Sequence, residues 1–248
     1  TGADFIVSGA GLPLELPAMV SDTDIAIAPI VSGARAAALI LKYWEKKYHR
    51  YPDFIVIEGP EAGGHLGFSR KQLEEKMDYD MEISEILKLV RVYEKKAERK
   101  IPVAVGGGIC DKARADHGFM LGADLIQVAS RFITTKECDA DSAYKDAYLK
   151  ARKEDIVLVS SPVGMPGRAI RNPFLERVEK GEFQRPQKCF GCLKHCNPAE
   201  IPYCITEALI HAVKGDTENG LLFCGAQVYL ANQIETVQDV MEDLLEGL

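Results

Sequence analysis

Much of the reactive chemistry in this sequence sits in one stretch, Glu58-Gly59-Pro60-Glu61-Ala62-Gly63-Gly64-His65-Leu66-Gly67. It places an imidazole among glycines directly after an apolar run at 54–57. Glycine neighbours leave such a histidine open to a ligand, and its ordinary pKa lets it give or take a proton near neutrality. Glu58 and Glu61 bracket a proline in the same stretch. Paired carboxylates are the equipment of glycoside hydrolysis, but nothing else here suits a sugar site. Glu58 therefore reads as a hydrogen-bond partner of a bound cofactor ring or ribityl chain, and Glu61 as an exposed carboxylate. His49, His117 and His211 sit in helical or loop settings and read as structural.

A second set of candidates is backbone rather than side chain. Gly106-Gly107-Gly108 follows an apolar run at 101–105 and precedes a helix that opens near Asp111. Loop N–H groups and the positive helix end can together hold a phosphate with no side chain involved; a tight turn needing glycine uses the same residues. The run at 125–128, which contains Gln127, exits in Ala129-Ser130, a further source of N–H groups and a hydroxyl. The first run exits in Ser8-Gly9-Ala10-Gly11. No Gly-x-Gly-x-x-Gly spacing occurs and no Lys-Ser/Thr follows the glycines, which excludes the dinucleotide fingerprint and the P-loop.

Seven cysteines are too few for a disulfide scaffold in 248 residues. Cys189, Cys192, Cys196 and Cys204 crowd into sixteen positions, with His195 inside the cluster. Four thiolates suit zinc or an iron–sulfur cluster. Reduced cysteines packing a small lobe, or a Cys189–Cys192 redox dithiol, fit the same spacing. An odd, clustered total reads as a reducing, cytoplasmic setting.

Elements must bring these groups together. The apolar runs at 5–7, 25–31, 54–57, 101–105 and 125–128 are nearly uninterrupted, the mark of strands buried on both faces of a parallel sheet. Helical patterns at 34–49, 83–100, 113–121 and 142–153 alternate with them, with Ser32 and Ser84 as N-cap candidates. This reads as repeated βα units, whose strand exits share one face. Beyond about 155 the pattern changes to a Pro/Cys-rich segment and two helices, 204–214 and 237–245, the second capped by Thr236. The division expected is 1–155 for the βα units and 156–248 for a small Cys-rich helical lobe. Charge bounds the partners: 30 Lys and Arg against 37 Asp and Glu leave −7, the wrong sign for nucleic acid. No apolar run reaches membrane-spanning length.

Three motifs in order, Glu58 to Gly67, Pro102 to Ile109 and Phe119 to Phe132, resemble the nitronate monooxygenase family, and closely resemble the flavin-dependent enoyl-acyl carrier protein reductases. The resemblance implies a TIM (β/α)8 barrel binding FMN. His65 matches the family's active-site histidine. Gly107, Gly108, Ala129 and Ser130 match its phosphate-binding exits, and Gly9, Ala10 and Gly11 the loop beside the flavin. Glu58, Gly63, Gly64, Gly106 and Gln127 complete the expected cofactor contacts. Ala129-Ser130 stands where many relatives have Gly-Thr; either pair can donate N–H and hydroxyl groups.

Relatives place three βα units before the one matching Phe5 to Gly11, so the expectation is a barrel lacking its first three units in this chain. The missing part would be supplied in cis or by another polypeptide. The substrate expected is a nitronate or nitroalkane, oxidised with O2. The alternatives are an enoyl thioester reduced with NAD(P)H as donor, or a flavin- or metal-binding subunit of a larger assembly. A homodimer is a further expectation; nucleic acid and membrane are not.

Overall fold

The computed structural model describes residues 2–75, 77–192 and 196–247. Its strands in chain order are β1 (Phe5–Ser8), β2 (Ala26–Val31), β3 (Ile55–Glu58), β4 (Gly64–His65), β5 (Val103–Gly106), β6 (Leu125–Gln127), β7 (Ile156–Ser160) and β8 (Pro166–Ile170). Five of them form one parallel sheet in the order β1-β2-β3-β5-β6. The register runs through Phe5↔Ala26, Ile30↔Val56, Val56↔Ala104 and Ala104↔Leu125. Because spatial order follows chain order with parallel pairing, all five strand exits open on one edge of the sheet. The five apolar runs read from the sequence are these strands, each within one or two residues.

The helices explain the burial. They are α1 (Leu16–Met19), α2 (Ala34–Tyr48), α3 (Arg70–Glu74), α4 (Tyr79–Ala97), α5 (Lys112–Met120), α6 (Ser130–Ile133), α7 (Ser142–Lys150), α8 (Pro173–Glu179), α9 (Ile205–Val213) and α10 (Val237–Leu245). The apolar stripes of α2 (Ile40, Leu41, Trp44) and α4 (Ile83, Ile86, Leu87, Val90) join Ile27, Ile55, Ile57, Val103 and Val105 in the main core. Trp44 is fully buried and its indole N–H donates to the Pro13 carbonyl at 3.1 Å, so its polar atom is satisfied. At the sheet's two edges Phe5 and Leu125 remain exposed.

Two cap expectations are corrected. Gly33, not Ser32, occupies the α2 N-cap, and its missing side chain is replaced from another helix: Glu82 Oε1 accepts the Ala34 N–H at 2.6 Å. Ser84 lies inside α4, donating to the Asp80 carbonyl at 2.9 Å, because the helix starts at Tyr79, ahead of its apolar stripe. Thr236 does cap α10, in a reciprocal capping box with Asp239.

Strands β4, β8 and β7 form a second, antiparallel sheet. Its edge strand β4 carries the expected site histidine. Gly64 pairs with Arg168 and His65 with Gly167, so the segment beyond 155 holds His65 in place. That segment also returns to the first sheet's helices: Val240 and Leu244 of α10 bury against Ala115 of α5. No described helix is long and apolar enough to cross a membrane.

Candidate active site

Two cavities meet at the strand exits, and Glu58 lines both. The first, of about 560 Å³, is walled by Gly63, Gly64, Gly107, Gly108, Gln127, Ala129 and Ser130, and lies in the size range of cofactor sites. The second, of about 710 Å³, is lined by His65, Ala10 and Gly11 with an apolar wall that includes Leu12, Ile30, Leu39 and Phe68. Of the expected cofactor contacts, Gly106 and Gly9 line neither cavity. Gly106 is the last residue of β5, where its carbonyl accepts the Gly59 N–H at 2.9 Å. Gly9 packs against Ile30, which an added Cβ would meet at 2.9 Å.

The glycine walls are backbone devices. Gly107 (φ 101°) and Gly108 (φ 77°) adopt left-handed conformations that other residues resist. A Cβ on Gly107 would sit 3.0 Å from the Gly59 backbone, and one on Gly63 would sit 2.5 Å from the Cys224 carbonyl carbon. The loops after β3 and β5, and the chain at 223–225, thus touch backbone to backbone. Two hydrogen bonds fix the third loop: Ala226 N–H to Glu61 O, and Gly225 N–H to Ser130 Oγ, both 2.9 Å.

Three side chains behave differently from expectation. Glu61 is not a free surface carboxylate: Arg114 pairs with it and Gln227 Nε2 donates to it at 3.2 Å, which ties the β3 loop to α5 and to the far segment. This leaves Glu58 and Glu61 with separate roles. At the α5 N-terminus the Asp111 carboxylate is itself the cap, accepting the Arg114 N–H at 2.9 Å. Arg131, which lies in the third motif without an expected role, lines the first cavity. It is anchored to Glu235 at 3.0 Å, Asp243 at 3.1 Å and the Cys110 carbonyl at 2.7 Å.

His65 Nε2 lies 2.7 Å from Ser161 Oγ, and its ring stands edge-on to Phe223 with centroids 5.0 Å apart. Half-burial lowers its pKa below the ordinary value, because the charged ring loses hydration. Burial thus favours the neutral ring over the charged one. Its neighbour Glu58 makes no side-chain hydrogen bond or ion pair among the described residues, and burial pushes its carboxyl up to about 7. The sign of the linkage follows. The folded value exceeds the unfolded 4.5, so stability present at low pH is lost as pH rises from 4.5 through about 7. Denaturant unfolding at pH 5 and pH 8 should show the wild type losing on the order of 2–3 kcal/mol more than Glu58→Gln across that interval. Equal losses would mean Glu58 is not desolvated.

Of the remaining histidines, His117 contacts Asp80 and His211 contacts Asp216, each at 2.9 Å, while His49 ends α2 in a left-handed conformation. Cys189 and Cys192 are exposed, Cys196 is half-buried and Cys204 is buried at the start of α9. Among the described residues no group of three or more His, Cys, Asp or Glu is arranged to hold a metal ion. His195 lies outside the described residues.

The residues that sequence reasoning missed come from the far segment. Phe223, Cys224, Gly225 and Gln227 wall the first cavity. A signal existed: 221–225 repeats the pattern of an apolar run ending in glycine.

Parallel βα units with glycine-walled exits, beside a small antiparallel sheet that carries a histidine, define an α/β protein with a cavity of about 560 Å³ at its strand exits. The chain belongs to the nitronate monooxygenase family, whose sequence model matches residues 1–247. A probable nitronate monooxygenase of Staphylococcus saprophyticus is 28% identical over 134 residues, which span 54% of this chain and 36% of that protein. Among solved structures, FabK from Thermotoga maritima superposes with a TM-score of 0.73 at 26% identity, covering 98% of this chain and 67% of that one. Nitroalkane oxidase from Streptomyces ansochromogenes gives 0.70 at 19% identity, covering 99% and 65%, a likeness of fold.

Proposed function

We propose that this chain forms the catalytic part of an FMN-dependent oxidoreductase that oxidises alkyl nitronates with O2. The observation carrying this reading is the glycine-walled cavity, which borders a second cavity lined by His65. The fit to a flavin nucleotide rests on the molecule itself. Cβ atoms at Gly63, Gly107 and Gly108 would collide with the loops that shape the cavity wall. Arg131 Nε, in a residue of that wall, is buried without a hydrogen-bond partner among the described residues.

In this reading the N–H groups of Gly107, Gly108, Ala129 and Ser130 hold the phosphate, while Glu58, Gln127, Gly63 and Gly64 hold the ribityl chain and ring. The flavin, when bound, supplies a two-electron acceptor that O2 can re-oxidise. The protein's own part is binding, orientation and the exclusion of water. The segment 223–235 covers one side of the cavity, and His65 meets substrate from the second cavity as a neutral hydrogen-bonding group. Exposed Phe5 and Leu125 on the two edge strands support an eight-stranded barrel completed by further βα units, in cis or on another chain. No step of this chemistry draws on the four cysteines, and zinc or an iron–sulfur cluster has no part in it.

A second reading, reduction of an enoyl thioester with NAD(P)H, keeps the same residues. The size and apolar wall of the second cavity favour it, since about 710 Å³ exceeds what a short nitronate fills. One experiment separates the two. Under the first reading, the flavin-loaded protein consumes O2 with propyl nitronate and needs no NAD(P)H. Rapid flavin bleaching by NAD(P)H, reversed by crotonyl thioester and indifferent to nitronate, would replace it with the second.

A further inference from the structure

Ser130 and Arg131 are consecutive at the exit of β6, and between them they hold both ends of one wall of the first cavity. That wall is the chain between Gly225 and Glu235, most of which lines the cavity. At its near end the Gly225 N–H donates to Ser130 Oγ at 2.9 Å. At its far end Arg131 Nη2 forks onto the Glu235 carboxylate at 3.0 and 3.2 Å, in a pair whose side chains are only 17% and 21% exposed. The backbone repeats that attachment: Glu235 N–H donates to Thr134 O at 3.0 Å, and Lys136 N–H to Glu235 O at 2.8 Å. Between the two pins Asn232 and Gln233 line the cavity, and the N–H groups of 232, 233 and 234 have no partner among the described residues.

Donors and acceptors give Ser130 a second task. A hydroxyl carries one proton and two lone pairs. A backbone N–H can only donate, so the Gly225 amide takes one lone pair and leaves the Ser130 proton to be given elsewhere. Among the described residues that proton has no acceptor. Ser130 lines the cavity, so an acceptor inside the cavity is the partner left for it. Arg131 resembles it in this respect. Its Nη1 donates to Asp243 at 3.1 Å and the Cys110 carbonyl at 2.7 Å, its Nη2 to Glu235, while its Nε is buried with no partner among the described residues. Two carboxylates already match the guanidinium charge, so Arg131 offers an N–H and not a net positive charge. The near end of the wall is tied to the β3 loop as well, through Ala226 and Gln227 to Glu61, but a carboxylate and a carbonyl have no proton for an anion.

We propose that Ser130 and Arg131 are positioning residues, a two-point clasp through which a phosphate in the cavity fixes the Gly225–Glu235 wall. The Ser130 hydroxyl is the link. It accepts from Gly225 and donates to the phosphate, so each bond polarises and strengthens the other. This deepens the proposed function and rests on its placing of a flavin phosphate at the β5 and β6 exits. The phosphate, at one end of the cofactor, then holds the wall that covers the rest. Riboflavin enters the same cavity but leaves the wall as it stands in the apoprotein.

The test is amide hydrogen exchange of the full chain, read at Gly225 and Glu235, in the apoprotein and with saturating FMN or riboflavin. In the wild type FMN should slow exchange at both amides at least about tenfold more than riboflavin does. Ser130→Ala should remove that difference at Gly225, and should weaken FMN binding by roughly ten- to hundredfold more than riboflavin binding. Ser130→Thr, which restores the hydroxyl, should restore both. Arg131→Lys, which cannot fork onto Glu235, should remove the difference at Glu235. Equal weakening of the two flavins, with protection lost in β3 and β5 too, would make these residues general supports of the fold and overturn the clasp. FMN and riboflavin protecting the wild-type wall equally would overturn it while the flavin reading stands. Uptake of neither flavin would sink that reading and the proposal together.

Discussion

His65→Asn should lower turnover by roughly 10²- to 10⁴-fold, the range expected for loss of a positioned proton-transfer or hydrogen-bonding group. That corresponds to about 3–5 kcal/mol of barrier. The flavin content of the variant should stay at the wild-type level, because His65 lines the second cavity and not the first. Stability should change little. The ring is half-buried on the short edge strand β4, and its one polar contact among the described residues is Ser161 Oγ. Steady-state kinetics beside a flavin-to-protein ratio check both halves. An Asn variant with full turnover would remove His65 from the chemistry, and one that lost its flavin would assign it to cofactor binding.

The second large effect is on architecture. Gly63→Ala places a methyl group 2.5 Å from the Cys224 carbonyl carbon and 2.7 Å from Gly225 N. Both are backbone atoms, which cannot rotate away as a side chain can, and the Gly225 N–H is already committed to Ser130 Oγ. Such overpacking costs roughly 1–3 kcal/mol or more, about 3–10 °C in melting temperature for a domain of this size. Relieving it moves the 223–225 segment off the cavity wall, so flavin affinity should fall at least about tenfold. Gly118→Ala is the control. Its Cβ would meet only Ile126 Cγ2, at 3.6 Å inside α5, and replacing a helical glycine there should be neutral or stabilising by about 0.5–1 kcal/mol. Thermal melts and flavin titrations of the two variants should therefore move in opposite directions or differ sharply in size.

What the sequence disclosed and what it hid have a common physical reason. Strands β2, β3 and β5 were legible because burial on both faces leaves continuous apolar runs, the edge strands β1 and β6 because they keep the same apolar pattern although partly exposed here, and Thr236 because a capping box is local. The α2 cap was not legible: its acceptor, Glu82, lies 48 positions away on another helix. Glu61 read as exposed for the same reason, since Arg114 and Gln227 reach it only after folding. The glycine exits drew notice as residue types, but the partners their missing side chains admit, Cys224 above all, are set by tertiary contact. Ser161 carried no local signal at all: it is ordinary in its own segment and acquires meaning only where the turn after β7 meets His65 of β4.

The central claim is that the glycine-walled cavity holds a flavin nucleotide, and the most direct measurement is a titration of the apoprotein with FMN followed by visible absorbance and fluorescence. The account predicts saturable uptake of one flavin per chain, weakened in Gly63→Ala and unchanged in His65→Asn. A folded wild-type protein that leaves free FMN unperturbed across the whole titration would contradict it.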